Sequence, residues 1–228
     1  MGHHKLERFA ENLTFPNLFQ VSYEMLQHEG FALRGHWRDY FGNDNPVTLE
    51  LGCGKGDYTI ALARIHPDRN YVGIDIKGAR LWRGAKTGVE EKMGNVAFVR
   101  TRIELIEQFF APDEVSEIWI TFPDPQPKKE FKRLTCERFL NRYKHFLCQG
   151  APLHLKTDSQ ELHEYTRDEV IPAGGYRIEY ATADLYATPA DSRPDIPCLA
   201  EAQMTQTFYE RMYLAERKPI TYLKFYLN

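Results

Sequence analysis

The 228-residue chain is 43% hydrophobic and 27% charged, with a formal net charge of −3 at pH 7. That composition fills one sizeable α/β core and excludes a disordered chain or a globally basic nucleic-acid binder. No apolar run approaches the ~20 residues of a membrane span and the N-terminus lacks a signal-peptide apolar core, so a cytoplasmic protein with no membrane partner is expected. The four cysteines include no C-x-x-C pair and the eight histidines no metal-ligand spacing, so reduced thiols and no metal are expected.

In chain order, residues 1–41 read as an N-terminal extension, with Leu6, Phe9, Leu13 and Phe15 able to form an amphipathic segment. Residues 42–228 read as one domain. Asn43-Asp44-Asn45-Pro46 is a turn that opens a first strand at 47–51, an apolar run that contains Glu50. Gly52-Cys53-Gly54-Lys55-Gly56 follows, then a helical pattern carried by Ile60, Leu62, Ala63 and Ile65, then a second strand at 71–74 that ends on Asp75. Strand, glycine turn, helix, strand and acid form the first unit of a nucleotide-binding α/β sheet. Gly52, Gly54 and Gly56 permit positive φ and close approach of a ligand to backbone, and Asp75 can accept both hydroxyls of a ribose. A dinucleotide fingerprint would need glycine at position 57, where Asp57 stands. The G-x-G-x-G pattern preceded by Glu50 resembles instead motif I of the S-adenosylmethionine-dependent methyltransferases. A dinucleotide enzyme and a glycine turn with no ligand are the alternatives at this point.

Residues 77–92 read as a helix on which Lys77, Arg80, Arg83 and Lys86 form a basic stripe, either a phosphate contact or a solvated face. Further strands are expected at 96–99, 116–121, 153–157, 176–181 and 220–227. Helices are expected at 103–110, 134–147 and 205–216, another after Asp158, and a loop at 182–200. Alternating β and α units imply a mostly parallel sheet, seven strands in all, covered on both faces. Between Lys128 and Lys144 stand seven Lys or Arg and two Glu, a local +5 on an otherwise acidic chain. Such a patch suits a polyanionic substrate, unless it is a solvated helix face. Just before it, Thr121-Phe122-Pro123-Asp124-Pro125 follows a strand, and ligands of open parallel sheets sit beyond the carboxyl ends of strands. Asp124 is therefore expected at the same edge as the glycine turn and Asp75.

Taken together, these residues resemble the bacterial tRNA (guanine-N7-)-methyltransferase family over roughly residues 47–228. The resemblance rests on Glu50-Leu51-Gly52-Cys53-Gly54-Lys55-Gly56, on Asp75, on Phe122-Pro123-Asp124-Pro125 with Lys128, and on Thr157-Asp158 with Thr207-Phe208-Tyr209-Glu210. It implies a Rossmann-like class I methyltransferase fold. It also implies S-adenosylmethionine as methyl donor, held by Glu50, Gly52, Gly54, Gly56, Asp75 and Asp124. Catalysis would fall to Asp124, and tRNA contacts to Lys128, Asp158, Thr207 and Glu210, with N7 of guanine 46 in the variable loop as target. Gln126 stands where the family often has Trp. The expected assembly is a monomer or homodimer. Guanine N7 already carries an in-plane lone pair, so no deprotonation is needed, and a carboxylate that binds N1–H and the exocyclic amine can orient the base and stabilise the developing cation. A methyltransferase of another RNA or of a small molecule, and a non-catalytic RNA-binding module, are the other readings. The +5 patch argues against a small molecule, and intact Glu50, Asp75 and Asp124 argue against loss of activity.

Overall fold

The computed structural model describes residues 3–227, with side chains from residue 6 onward; Met1, Gly2 and Asn228, and the side chains of His3, His4 and Lys5, lie outside the described residues. The chain packs as two units, one running up to Glu117 and including His145–Cys148, the other made of Ile118–Lys144 and everything from Gln149 on.

The first unit holds four parallel strands in the order β1 (Leu18–Phe19), β4 (Val96–Arg100), β3 (Asn70–Asp75) and β2 (Val47–Leu51). Every residue of β2 and β3 is buried, the polar Thr48, Glu50, Asn70 and Asp75 included, as in a parallel sheet covered on both faces. Its helices are α1 (His3–Asn12), α2 (Tyr23–His28), α3 (Trp37–Phe41), α4 (Asp57–Ile65) and α5 (Gly78–Glu90). The segment read as an extension packs within this unit. Asn12 Nδ2 donates to Gly78 O at 2.9 Å, and Asn17 Nδ2 to Ala85 O at 3.1 Å, so α1 and the turn after it are hydrogen-bonded to α5. Trp37 is fully buried and stacks on Phe110 at 5.4 Å between ring centroids. Residues 103–110 were expected to be a short helix; Ile103–Gln108 form one, of 3-10 rather than α type.

The second unit also has four strands. β5 (Glu117–Thr121) is parallel to β6 (Pro152–Thr157), and β8 (Thr221–Tyr226) runs antiparallel between β6 and β7 (Arg177–Thr182). Its helices are α6 (Glu137–Tyr143), α7 (Gln160–Glu164), α8 (Ile171–Gly174), α9 (Pro197–Met204) and α10 (Phe208–Ala215), and a π-helical stretch, Tyr165–Val170, joins α7 to α8. The described residues thus hold eight strands where seven were expected. The extra one is β1, whose two residues are too few to carry a period. The expected loop 182–200 ends inside α9, because Pro197 occupies the first turn of that helix, where a missing N–H costs nothing.

Candidate functional site

In the first unit the glycine turn leaves β2 and enters α4. Gly52, Gly54 and Gly56 have φ of +77°, +59° and +74°, which β-carbon-bearing residues rarely adopt. The three do different things. A Cβ on Gly52 or Gly54 would meet nothing within 4 Å, so this part of the turn borders open space. A Cβ on Gly56 would lie 2.6 Å from the Phe98 ring. A Cβ on Gly73 of β3 or on Gly84 of α5 would meet the same ring, at 2.7 and 2.6 Å. Phe98 is therefore a buried plug under the turn, fitted into three glycines, and Gly84 also lets α5 approach the Lys55 carbonyl. Sequence reasoning missed this packing; the signal available was a glycine inside a strand and another inside a helix.

The two acids of this unit that the sequence assigns to the cofactor, Glu50 and Asp75, are partly engaged. Glu50, 4% exposed, accepts from Thr59 N at 2.8 Å and from the Thr59 hydroxyl, so it braces β2 against α4. Asp75 sits at the carboxyl end of β3, where Oδ2 accepts from Gly54 N at 3.0 Å and Oδ1 from Lys77 N at 2.7 Å. It thus ties the glycine turn to the start of α5. Burial first, then Glu50 and Asp75, push the Cys53 thiol well above the usual range, so it stays protonated. Beside Asp75 the side chain of Ile76 is half exposed, an apolar surface that the sequence reading did not single out. The basic stripe of α5 is partly consumed. Lys86 pairs with Glu11 of α1 at 2.8 Å, and Glu11 also accepts from Trp82 Nε1 at 2.6 Å. A cavity of about 430 Å³ lies in this unit by the amino end of β2, lined in part by Trp37, Pro46, Glu114 and Cys148. The glycine turn leaves the opposite end of that strand. Glu114 there accepts from the amides of Gly35, Trp37 and Ala111, so its carboxylate is a loop anchor.

In the second unit Asp124 is exposed in the turn after β5. Pro123 and Pro125 supply no amide donors. Phe122 and Gln126 both have positive φ, +46° and +48°, a conformation costly for residues with side chains. The turn is held by Phe122 N donating to Lys156 O at 2.8 Å and by Gln126 N donating to Asp124 Oδ1 at 3.1 Å. One carboxylate oxygen of Asp124 therefore shapes the turn. Asp158, after β6, is ion-paired with Lys218, whose ammonium lies 4.6 Å from the Tyr213 ring centre. Tyr213 in turn lies 6.2 Å from the Phe122 ring. The turn after β5, Asp158 and α10 are thereby linked side chain to side chain.

The ends of the family resemblance fare differently. Thr207 caps α10: its hydroxyl accepts from Glu210 N, and Glu210 accepts from Thr207 N, both at 3.2 Å. Glu210 is fully buried. Its carboxylate pairs with Lys156 at 2.7 Å and accepts from Tyr186 OH at 2.6 Å. Lys156 also donates to the carbonyls of Ala202 and Thr205. Burial lowers the pKa of this lysine and Glu210 opposes the shift. Of the basic run, Lys128, Lys129, Lys132, Arg138 and Lys144 are exposed. Arg133 is not part of that face; it is 1% exposed. Among the described residues no group of three His, Cys, Asp or Glu is arranged to hold a metal ion, and no helix is long and apolar enough to cross a membrane.

A strand–glycine turn–helix with an acid closing the next strand, in a mostly parallel sheet, defines a Rossmann-like class I methyltransferase fold. Solved structures agree. An antibiotic-related methyltransferase aligns with a TM-score of 0.59 at 18% identity, covering 84% of this chain and 92% of that one. A 16S rRNA (adenine(1408)-N(1))-methyltransferase variant from Catenulisporales acidiphilia, solved with its cosubstrate SAM, aligns at 0.53 and 15% identity, covering 84% and 89%. A family described as "Putative methyltransferase" matches residues 44–194. The tRNA (guanine-N(7)-)-methyltransferase of Christiangramia forsetii is 54% identical over 97% of this chain and 96% of its own length, and that of Bacteroides fragilis is 45% identical over 100% and 87%. The chain belongs to the tRNA (guanine-N(7)-)-methyltransferase family.

Proposed function

We propose that the protein transfers a methyl group from S-adenosylmethionine to N7 of a guanine in tRNA, and that this guanine is position 46 in the variable loop. The observation that carries the reading is the 54% identity, over nearly the whole chain, to a relative of that name, joined to an exposed Asp124 between two prolines. The open side of Gly52 and Gly54 leaves room for a ligand against backbone. The Asp75 carboxylate retains lone pairs for ribose hydroxyls, and Ile76 offers an apolar face for a base. These residues fit S-adenosylmethionine, which when bound supplies an electrophilic methyl group on a sulfonium. Glu50 acts through its brace on α4, keeping the turn in shape. Asp124 accepts from guanine N1–H and the exocyclic amine, orients N7 and balances the charge that develops on the ring. Most of the rate enhancement comes from alignment, because N7 needs no base to activate it. Lys128 and its exposed neighbours hold phosphates, and a partly unstacked base reaches Asp124.

The test is incubation with methyl-labelled S-adenosylmethionine and unmodified tRNA, followed by nucleoside analysis. Label in 7-methylguanosine, absent when guanine 46 is replaced by adenine, is the expected result. Label in another nucleoside overturns the choice of atom. Label that persists in the substituted tRNA overturns the position.

A further inference from the structure

The largest fully buried charged side chain in the second unit is Arg133, and the proposed function assigns it no role. It belongs to the basic run by sequence, yet its guanidinium is buried, and a buried charge is retained only where partners compensate its desolvation. Its partners are specific. Nη2 pairs with Glu161 of α7, Nη1 lies 3.7 Å from Glu130, and the guanidinium stacks over the Tyr165 ring at 4.3 Å, at the first residue of the π-helical stretch. The remaining edge is turned to the turn after β5, where Nε donates to the Pro125 carbonyl at 3.1 Å. Pro125 is the residue after Asp124. The turn has few means of holding itself: two prolines without N–H and two residues in the left-handed region.

We infer that Arg133 is a positioning residue for Asp124: a buried guanidinium, held by Glu161 and Tyr165, grips the Pro125 carbonyl and fixes the direction in which the Asp124 carboxylate faces the guanine. This rests on the assignment of Asp124 to the base. A charge-assisted bond from a planar, immobilised donor fixes direction as well as distance. It opposes relaxation of a turn whose strained residues would otherwise move the carboxylate by an ångström or so, a displacement that costs about 10²-fold in rate when the group must be aligned. The same geometry removes Arg133 from the phosphate-binding set.

Arg133→Lys keeps the charge but cannot reach Pro125, Glu161 and the Tyr165 face together. It should lower kcat about 10- to 100-fold, leaving the KM for tRNA, its salt dependence and the affinity for S-adenosylmethionine near those of the parent. A phosphate contact would give the opposite pattern, a raised KM with a flattened salt slope and unchanged kcat, and would overturn the inference. Combining Arg133→Lys with Asp124→Asn separates positioning from mere support of the fold. If Arg133 acts through Asp124, the double variant is no slower than Asp124→Asn alone; multiplying losses mean that Arg133 acts elsewhere. Should Arg133→Lys fold poorly, Glu161→Gln, at an exposed carboxylate, loosens the clamp from outside and should lower kcat several-fold with the same unchanged salt slope; full kcat there overturns the inference. Near-normal turnover of Asp124→Ala would instead sink the role of Asp124 itself, whatever Arg133 does.

Discussion

Asp124 and Glu210 are carboxylates of one unit, and their surroundings assign them different work. Glu210 is fully buried and engaged by Lys156, Tyr186 and the amide of Thr207, so it holds the start of α10 to β6. Asp124 is exposed, and one of its oxygens accepts from the amide two residues on. Removal of Asp124 should therefore spare the fold and slow the reaction: Asp124→Ala should lower kcat by about 10²–10³, as for loss of one preorganised electrostatic group, with cofactor affinity changed far less. Asp124→Asn keeps size and one acceptor, so near-normal turnover for Asn in single-turnover assays would reduce its role to shape, and near-normal turnover for Ala would leave it a turn-former. His163 yields a prediction about stability. It is fully buried on α7 with neither ring nitrogen hydrogen-bonded, and burial, with Arg167 adding, pushes its pKa down to about 4 against opposing contributions from Asp168 and Glu164. The folded state thus prefers neutral imidazole, whereas the unfolded chain takes up a proton near the ordinary value of about 6.5. The contribution is fully present above pH 6.5 and is lost as pH falls from there towards 4, on the order of a few kcal/mol. Urea titrations across that range should show His163→Phe with a shallower acid decline than the parent; an identical decline would assign the acid limb to other groups.

At the scale of elements, α10 tests how a motif divides between structure and function. Its capping box satisfies amides that the first turn leaves without partners. Thr207→Ala should cost about 1 kcal/mol and lower Tm by roughly 2–4 °C for a chain of this length. If the cap is its whole role, turnover per folded molecule stays at the parental value; a loss beyond the unfolded fraction would add a substrate contact. The sequence was most legible where pattern and chemistry coincide. The run 47–51, the glycine turn and Asp75 read as strand, turn and strand end because a short apolar-rich run bounded by turn signals marks a strand and positive φ selects glycine. It was least legible where partners are distant in sequence. Nothing local to Arg133 marks it off from Lys132, because its burial is decided by Glu161 and Tyr165, on elements formed later in the chain. Nothing local to Phe98 announces three glycines from three elements. The short α2 and α3 escaped for a simpler reason, having six and five residues. A window that short holds under two turns and carries no period.

At the scale of the whole molecule, the chain is acidic, at −3, while its basic residues concentrate between Lys128 and Lys144. A net acidic protein repels RNA at a distance. Binding therefore depends on a few cations close to the phosphates, within about a Debye length of 8–10 Å at ordinary salt. With Arg133 buried, the exposed members Lys128, Lys129, Lys132, Arg138 and Lys144 are the ones available, and Lys144 is shared with the Tyr176 ring at 4.7 Å. Each phosphate that a cation neutralises releases counterions, so the slope of log K against log salt counts them. Replacing Lys128, Lys132 and Arg138 with alanine should weaken tRNA binding at low salt and flatten that slope by roughly one for each phosphate no longer neutralised, while calorimetry finds the affinity for S-adenosylmethionine unchanged. Arg133→Lys, assayed in the same series, should leave the slope where it was. A triple variant whose slope matches the parent would make the run a solvated face. The phosphates would then have to be held by other cations, of which Lys77, Arg80 and Arg83 on α5 would be the next to replace.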